Sequence, residues 1–174
     1  MPIKKYVILD SDPDAVGNND FILLGLKAIG FARGCPMLFG GTADAVDGPV
    51  DGKDFALNVI KRETWEETLN NIEVNQVVRY QTYPDEIGVY TSNDFIFTGQ
   101  VTLNGEFAWI RKVSKGKLTA YFQNKPSATK DMFAQELFCM TTDPNISPTD
   151  GEFEAYLGSS TLSALYSYCK ETCK

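Results

Sequence analysis

The run Arg62-Glu63-Thr64-Trp65-Glu66-Glu67 constrains this chain more than any other stretch. A helix makes roughly 3.6 residues per turn, so Glu63, Glu66 and Glu67, at i, i+3 and i+4, fall on one face. Carboxylates at that spacing repel one another by roughly a few tenths of a kcal/mol per pair. The arrangement therefore calls for a cation. Hard divalent ions such as Mg²⁺ or Mn²⁺ take oxygen ligands and meet that demand. Val59 and Asn70 extend the charged face, while Leu57, Ile60 and Thr64 form a separate stripe suited to burial. The expected helix runs from Asp54, a residue type that caps helix N-termini, to about Leu69. A Glu-rich face is by itself most often only solvated, so the flanking residues have to decide.

They do. Gly48 is followed by five residues, then Asp54, then seven residues, then the acidic run, and Phe39-Gly40-Gly41 precedes them all. This pattern resembles the signature of the Nudix hydrolases, G-x5-E-x7-R-E-U-x-E-E-x-G-U, where U is bulky and apolar. The Arg-Glu-x-x-Glu-Glu core is intact. Asp54 stands where the family has Glu, Thr64 and Asn70 where it has apolar residues, and Leu69 where it has Gly. Strict spacing selects Gly48, but the family's double glycine corresponds better to Gly40-Gly41. We prefer the second alignment, with an Asp- and Gly-rich insertion between Thr42 and Lys53, because loop closure costs grow only logarithmically with length.

The resemblance implies a fold, a reaction and a site. The fold is α/β, a Nudix-like α/β/α sandwich with a mixed central sheet, with residues 1–174 as a single domain. The reaction is hydrolysis, with Mg²⁺ or Mn²⁺, of the pyrophosphate bond in a nucleoside diphosphate linked to another group. Glu63, Glu66 and Glu67 are implied as metal ligands, with Gly41 offering its carbonyl. Arg62 is implied to orient Glu63 and anchor the loop, and Asp54 to cap the helix or pair with Arg62. Many members carry a further acidic residue late in the fold, just before an aromatic that starts a strand. Glu136, before Leu137-Phe138, resembles that position as a third ligand or general base, with Asp131 as runner-up. ADP-ribose, dinucleotides and the capped 5′ end of mRNA are the substrate classes implied, and a non-catalytic binding module is the alternative that the departures at Asp54 and Leu69 favour.

The residues themselves add candidates and exclusions. Arg79, Arg33, Arg111 and Lys112 are possible phosphate contacts; Phe21, Tyr6, Trp109 and Tyr121 are possible base-stacking groups. No basic cluster appears along the sequence, which argues against densely phosphorylated substrates such as diphosphoinositol phosphates. A net charge of −7 argues against broad binding to nucleic acid or to anionic membranes. No apolar run approaches the length of a membrane span, and Met1-Pro2-Ile3-Lys4-Lys5 leads into a strand-like run and not a leader, so a cytoplasmic location is expected, with the mature form of a secreted protein as the alternative. Cys35 and Cys139 read as buried thiols; Cys169 and Cys173, at i and i+4, allow a metal pair or a disulfide elsewhere. Strands are expected at 6–9, 21–24, 76–83, 89–98, 106–113 and 118–123, with one more at 135–141 and a closing helix over 159–173.

Overall fold

The computed structural model describes residues 2–141, 143 and 145–174. The buried run Tyr6-Val7-Ile8-Leu9 lies in β1 (Lys4–Asp10), which is followed by β2 (Phe21–Lys27), β3 (Pro36–Met37) and β4 (Phe39–Thr42). A 3₁₀ turn, Ala45–Asp47, then precedes helix α1 (Phe55–Glu67). The remaining strands are β5 (Ile72–Val74), β6 (Val78–Tyr83), β7 (Ile87–Ser92), β8 (Phe95–Phe97), β9 (Val101–Thr102) and β10 (Phe107–Ser114). Four helices close the chain: α2 (Lys115–Asn124), α3 (Lys130–Met140), α4 (Asp150–Leu157) and α5 (Ser160–Thr172).

The main sheet runs β6-β7-β1-β2-β10-β9, with β4 paired to β1 and β3 to β2. β1 and β7 are parallel and the other pairings antiparallel, so the sheet is mixed. Tyr90 of β7 lines a cavity with Phe55, Ala56 and Leu57 of α1, whereas the next residue, Thr91, lines another with Tyr168 of α5. Successive side chains of a strand point to opposite faces, so α1 and α5 cover opposite sides of the sheet. One apolar cluster joins the layers through residues such as Ile8, Leu23, Phe39, Ile60, Phe133 and Leu165. The architecture is the expected α/β arrangement.

Two strand expectations fail. Residues 118–123 lie in α2 and 135–141 fall largely in α3. Their aromatic content suggests strands, but Leu118, Tyr121 and Phe122 repeat at helical spacing and bury together, as do Phe133 and Leu137. Ser114 and Thr129 start the two helices, each accepting a hydrogen bond from the backbone of the first turn. Helix α4 escapes the sequence pattern altogether; a capping box between Thr149 and Glu152 opens it. The expected strand at 89–98 is instead two short strands, β7 and β8, separated at Asn93 and Asp94.

The first residue of α2 locks the layers together. Lys115 is fully buried and donates to both carboxylate oxygens of Asp10 at 2.9 Å and to the Asp12 carbonyl at 2.8 Å. The Tyr168 hydroxyl also donates to Asp10, so β1, α2 and α5 meet at one satisfied polar cluster. Cys35, Cys169 and Cys173 are buried, as a small apolar thiol tends to be, but Cys139 is exposed, against expectation.

Candidate active site

The acidic helix is seated by two glycines. Gly40 has φ 140°, and a Cβ there would lie 2.2 Å from the Lys5 carbonyl oxygen. A Cβ on Gly41 would lie 2.8 Å from the carboxyl carbon of Glu63. Backbone atoms of β1 therefore require glycine at position 40, whereas a side chain at position 41 would push the Glu63 carboxylate aside. Gly48, by contrast, has φ 90° and open space around it, so it serves the turn alone. Gly40-Gly41, and not Gly48, is the pair that packs against β1 and the acidic helix.

The inserted loop supplies the partner that Asp54 does not. Arg62 donates to both oxygens of Asp47, at 2.9 and 2.8 Å, and to the carbonyl of Thr42 at 3.1 Å. The same guanidinium reaches Glu63 at 3.2 Å and Glu66 at 3.5 Å. Its hydrogen bonds hold the Asp47 carboxyl below the usual carboxylate range. Asp54 occupies the N-cap position of α1 but its side chain accepts no capping hydrogen bond. At the other end of the helix, the Leu69 N–H bonds to Glu66 and the Asn70 N–H to Trp65, the pattern of a Schellman cap. Leu69 (φ 50°) and Asn70 (φ 68°) are both left-handed. Leu69 thus holds a backbone conformation that glycine adopts freely, at a cost of about 1–2 kcal/mol.

Of the three clustered glutamates, the fold turns two inward. Glu63 and Glu67 line a cavity of about 450 Å³, together with Tyr6, Lys27, Gly40, Gly41 and Glu106. Glu67 is almost wholly buried, and its carboxylate accepts the Gly40 N–H at 2.8 Å. Among the described residues no cation forms an ion pair with it. Burial drives its proton affinity well above the ordinary carboxylate range, against the lowering effect of the Gly40 N–H; the charges of Glu106 and Glu63 add to the rise and that of Lys27 opposes it. Burial likewise raises Glu63, against the lowering effect of Arg62. Tyr6 is pushed up to about 12, first by burial and then by the three carboxylates. Lys27 engages Glu106 in an ion pair at the cavity wall and lies 5.2 Å above the Phe107 ring.

The other expected residues lie elsewhere. Glu66 has an exposed side chain and does not line the cavity; among the described residues it pairs with Arg62 alone. Val59, placed on the charged face by the sequence pattern, is buried. Glu136 is half-buried on α3, where its charge acts on Tyr121, and it does not line the cavity. Arg33 pairs with Glu152 at 3.0 and 3.1 Å and fastens the loop after β2 to α4. Phe21 opens β2 at the end opposite Lys27, under the ammonium of Lys112. Trp109 is buried beneath Arg111, and Arg79 lines a different cavity. Among the described residues, no three His, Cys, Asp or Glu side chains are gathered closely enough to hold an ion unaided.

Sequence reasoning missed Glu106, Lys27 and Asp47. The signal for Glu106 was present: it directly precedes Phe107, the aromatic residue that begins β10. That is the pattern used to choose Glu136. Ile29 and Phe31, exposed apolar side chains lining the same cavity, were missed as well.

No family model matches the chain, and no curated protein matches it. Solved structures do. A MutT Nudix hydrolase from Burkholderia pseudomallei aligns at 16% identity and TM-score 0.44, over 66% of this chain and 83% of its own. A MutT/nudix family protein from Enterococcus faecalis aligns at 15% identity and TM-score 0.39, over 64% of this chain and 42% of its own. NrtR from Shewanella oneidensis aligns at 15% identity and TM-score 0.32, over 62% of this chain and 50% of its own. The chain is similar to Nudix structures. The likeness covers about two thirds of the chain. Among the described residues no helix is long and apolar enough to cross a membrane.

Proposed function

We propose that the chain is a Nudix hydrolase that uses Mg²⁺ or Mn²⁺ to cleave the pyrophosphate bond of a nucleoside diphosphate linked to another group. The observation that carries this reading is Glu67: a buried carboxylate with no ion pair among the described residues, facing Glu63 and Glu106 across one cavity beside a double glycine, where Lys27 is engaged by Glu106. Burying such charge uncompensated is costly, so the site favours a positive ion.

The donor set fits. Mg²⁺ keeps several waters and is usually bound through one or two carboxylates plus substrate phosphates, so no preformed cage is required. Glu63 and Glu67 would hold the ion, with Gly41 contributing its carbonyl and Glu66 joining them on release from Arg62. A bound ion supplies charge neutralisation of the diphosphate and a lowered pKa for attacking water. Arg62 keeps Glu63 oriented by gripping Asp47 and the Thr42 carbonyl on the loop side. Lys27 holds Glu106 in place as the late acidic residue, and Glu106 accepts the proton of the water during attack. Ile29 and Phe31 offer an apolar wall on which a nucleobase stacks.

The substrate classes that suit this cavity are ADP-ribose, dinucleoside polyphosphates and the capped end of RNA. A panel of these with Mg²⁺ or Mn²⁺ tests the reading, with Glu67→Gln as the control. Turnover by the wild type that disappears in the variant supports it. A second reading, a non-catalytic nucleotide-binding module, is favoured by the engagement of Glu106 with Lys27. Nucleotide binding without turnover of any panel member selects that module.

A further inference from the structure

A second cavity, of about 560 Å³, lies at the opposite end of α1 from the glutamates. Lys5, Lys53 and Arg79 line it, together with Asp54 and Tyr90. Three cations from three distant parts of an acidic chain therefore converge. Among the described residues, none of the three forms an ion pair. Lys5 is held in position: it pairs with Gly88 across β1 and β7, where a Cβ would lie 3.1 Å from its ammonium, and it sits 5.6 Å over the Tyr90 ring. The missing side chain at Gly88 makes room for the lysine.

The backbone points to the same ligand. The Asp54 side chain accepts no hydrogen bond from the first turn of α1. Ala56 and Leu57 line the cavity, and their backbone N–H groups have no acceptor among the described residues. Unpaired N–H groups and the positive end of the helix dipole favour an anion at that spot. Cationic side chains and free N–H donors thus face one space from independent directions.

We propose that this cavity binds an oligophosphate chain, separately from the carboxylate cavity. Three spaced cations suit several linked charges better than a single carboxylate, and the fixed N–H groups suit phosphate oxygens. β1 sets the two cavities apart: Lys4 and Tyr6 line the acidic one, and Lys5 between them lines the basic one. The assignment does not rest on the hydrolase reading, since it needs no metal and no glutamate.

Calorimetric titration of the whole protein with tripolyphosphate, in EDTA at low salt, tests it. Binding is expected to weaken as salt rises and to fall about tenfold for Arg79→Ala and again for Lys53→Ala. Both side chains are exposed, and circular dichroism confirms that the variants fold. Lys4→Ala and Glu67→Gln, which alter the other cavity, are expected to bind as the wild type does. ATP binding tighter than tripolyphosphate assigns the site to a nucleotide, and equal binding to the phosphate chain alone; either supports it. No binding by the wild type overturns the proposal, as does binding that survives Arg79→Ala and Lys53→Ala or that is lost in Lys4→Ala.

Discussion

Asp10 and Glu67 are both buried carboxylates, yet their surroundings differ in kind. Asp10 receives two hydrogen bonds from a fully buried lysine and one from Tyr168, so its charge is balanced inside the fold. Glu67 receives one backbone N–H and faces two more carboxylates, and the one cation that acts on it, Lys27, is engaged by Glu106. Balanced burial ties elements together, whereas unbalanced burial stores a demand for a ligand. The difference separates a structural charge cluster from a candidate reaction site without appeal to any relative.

The largest expected effect tests the balanced side. Lys115→Met leaves Asp10 buried with only two neutral donors among the described residues, the Tyr168 hydroxyl and the Asp12 N–H, and should cost about 3–5 kcal/mol in denaturant unfolding. A loss below about 1 kcal/mol, on the ordinary scale of surface changes, would show that the cluster is not holding β1, α2 and α5 together.

On the unbalanced side, Glu67→Gln should lower metal-dependent turnover by about a hundredfold or more while raising the melting temperature in metal-free buffer. The amide oxygen can still accept the Gly40 N–H. The sign follows from linkage. A carboxyl whose native pKa is raised above 4.5 binds its proton more tightly when folded, so stability declines as pH climbs from that value through the native one. Thermal melts across pH should show this decline in the wild type and a flatter curve in the variant. Added Mg²⁺ or Mn²⁺ should restore wild-type stability at neutral pH. A variant less stable than wild type without metal would break the contrast.

Arg62→Ala removes the bidentate grip on buried Asp47 and should cost about 1.5–3 kcal/mol. Asp47 is held below 3.8, so this contribution is present above that pH and fades as pH falls through the native value. Chemical denaturation at pH 7 and at pH 3 distinguishes the two regimes: the gap between variant and wild type should shrink at the lower pH. Smallest of all, Leu69→Gly should stabilise by about 1 kcal/mol, because the left-handed cap no longer carries a Cβ. Destabilisation instead would mean that the exposed Leu69 side chain contributes packing the backbone argument omits.

Much of the fold could be read from local patterns. Tyr6 to Leu9, Phe21 to Leu24 and the closing helix are continuous or periodic enough to declare themselves. Residues 118–123 and 135–141 did not, because aromatic content and helical spacing pull in opposite directions and burial against α5 and the sheet settles the contest. Asp54 had the right residue type for a cap and the right distance for Arg62, yet Asp47 took the arginine from within the inserted loop. The search for a late carboxylate used a sound rule at the wrong aromatic residue, passing over Glu106-Phe107.

From the chain alone came the acidic helix, the glycine pair and the arginine beside the glutamates, since spacing and steric freedom are local properties. Which glutamates face inward, what Lys27 and Glu106 do, and the meeting of Lys5, Lys53 and Arg79 were decided only when distant segments packed. Burial and electrostatic field depend on neighbours in space, and no separation along the sequence encodes them.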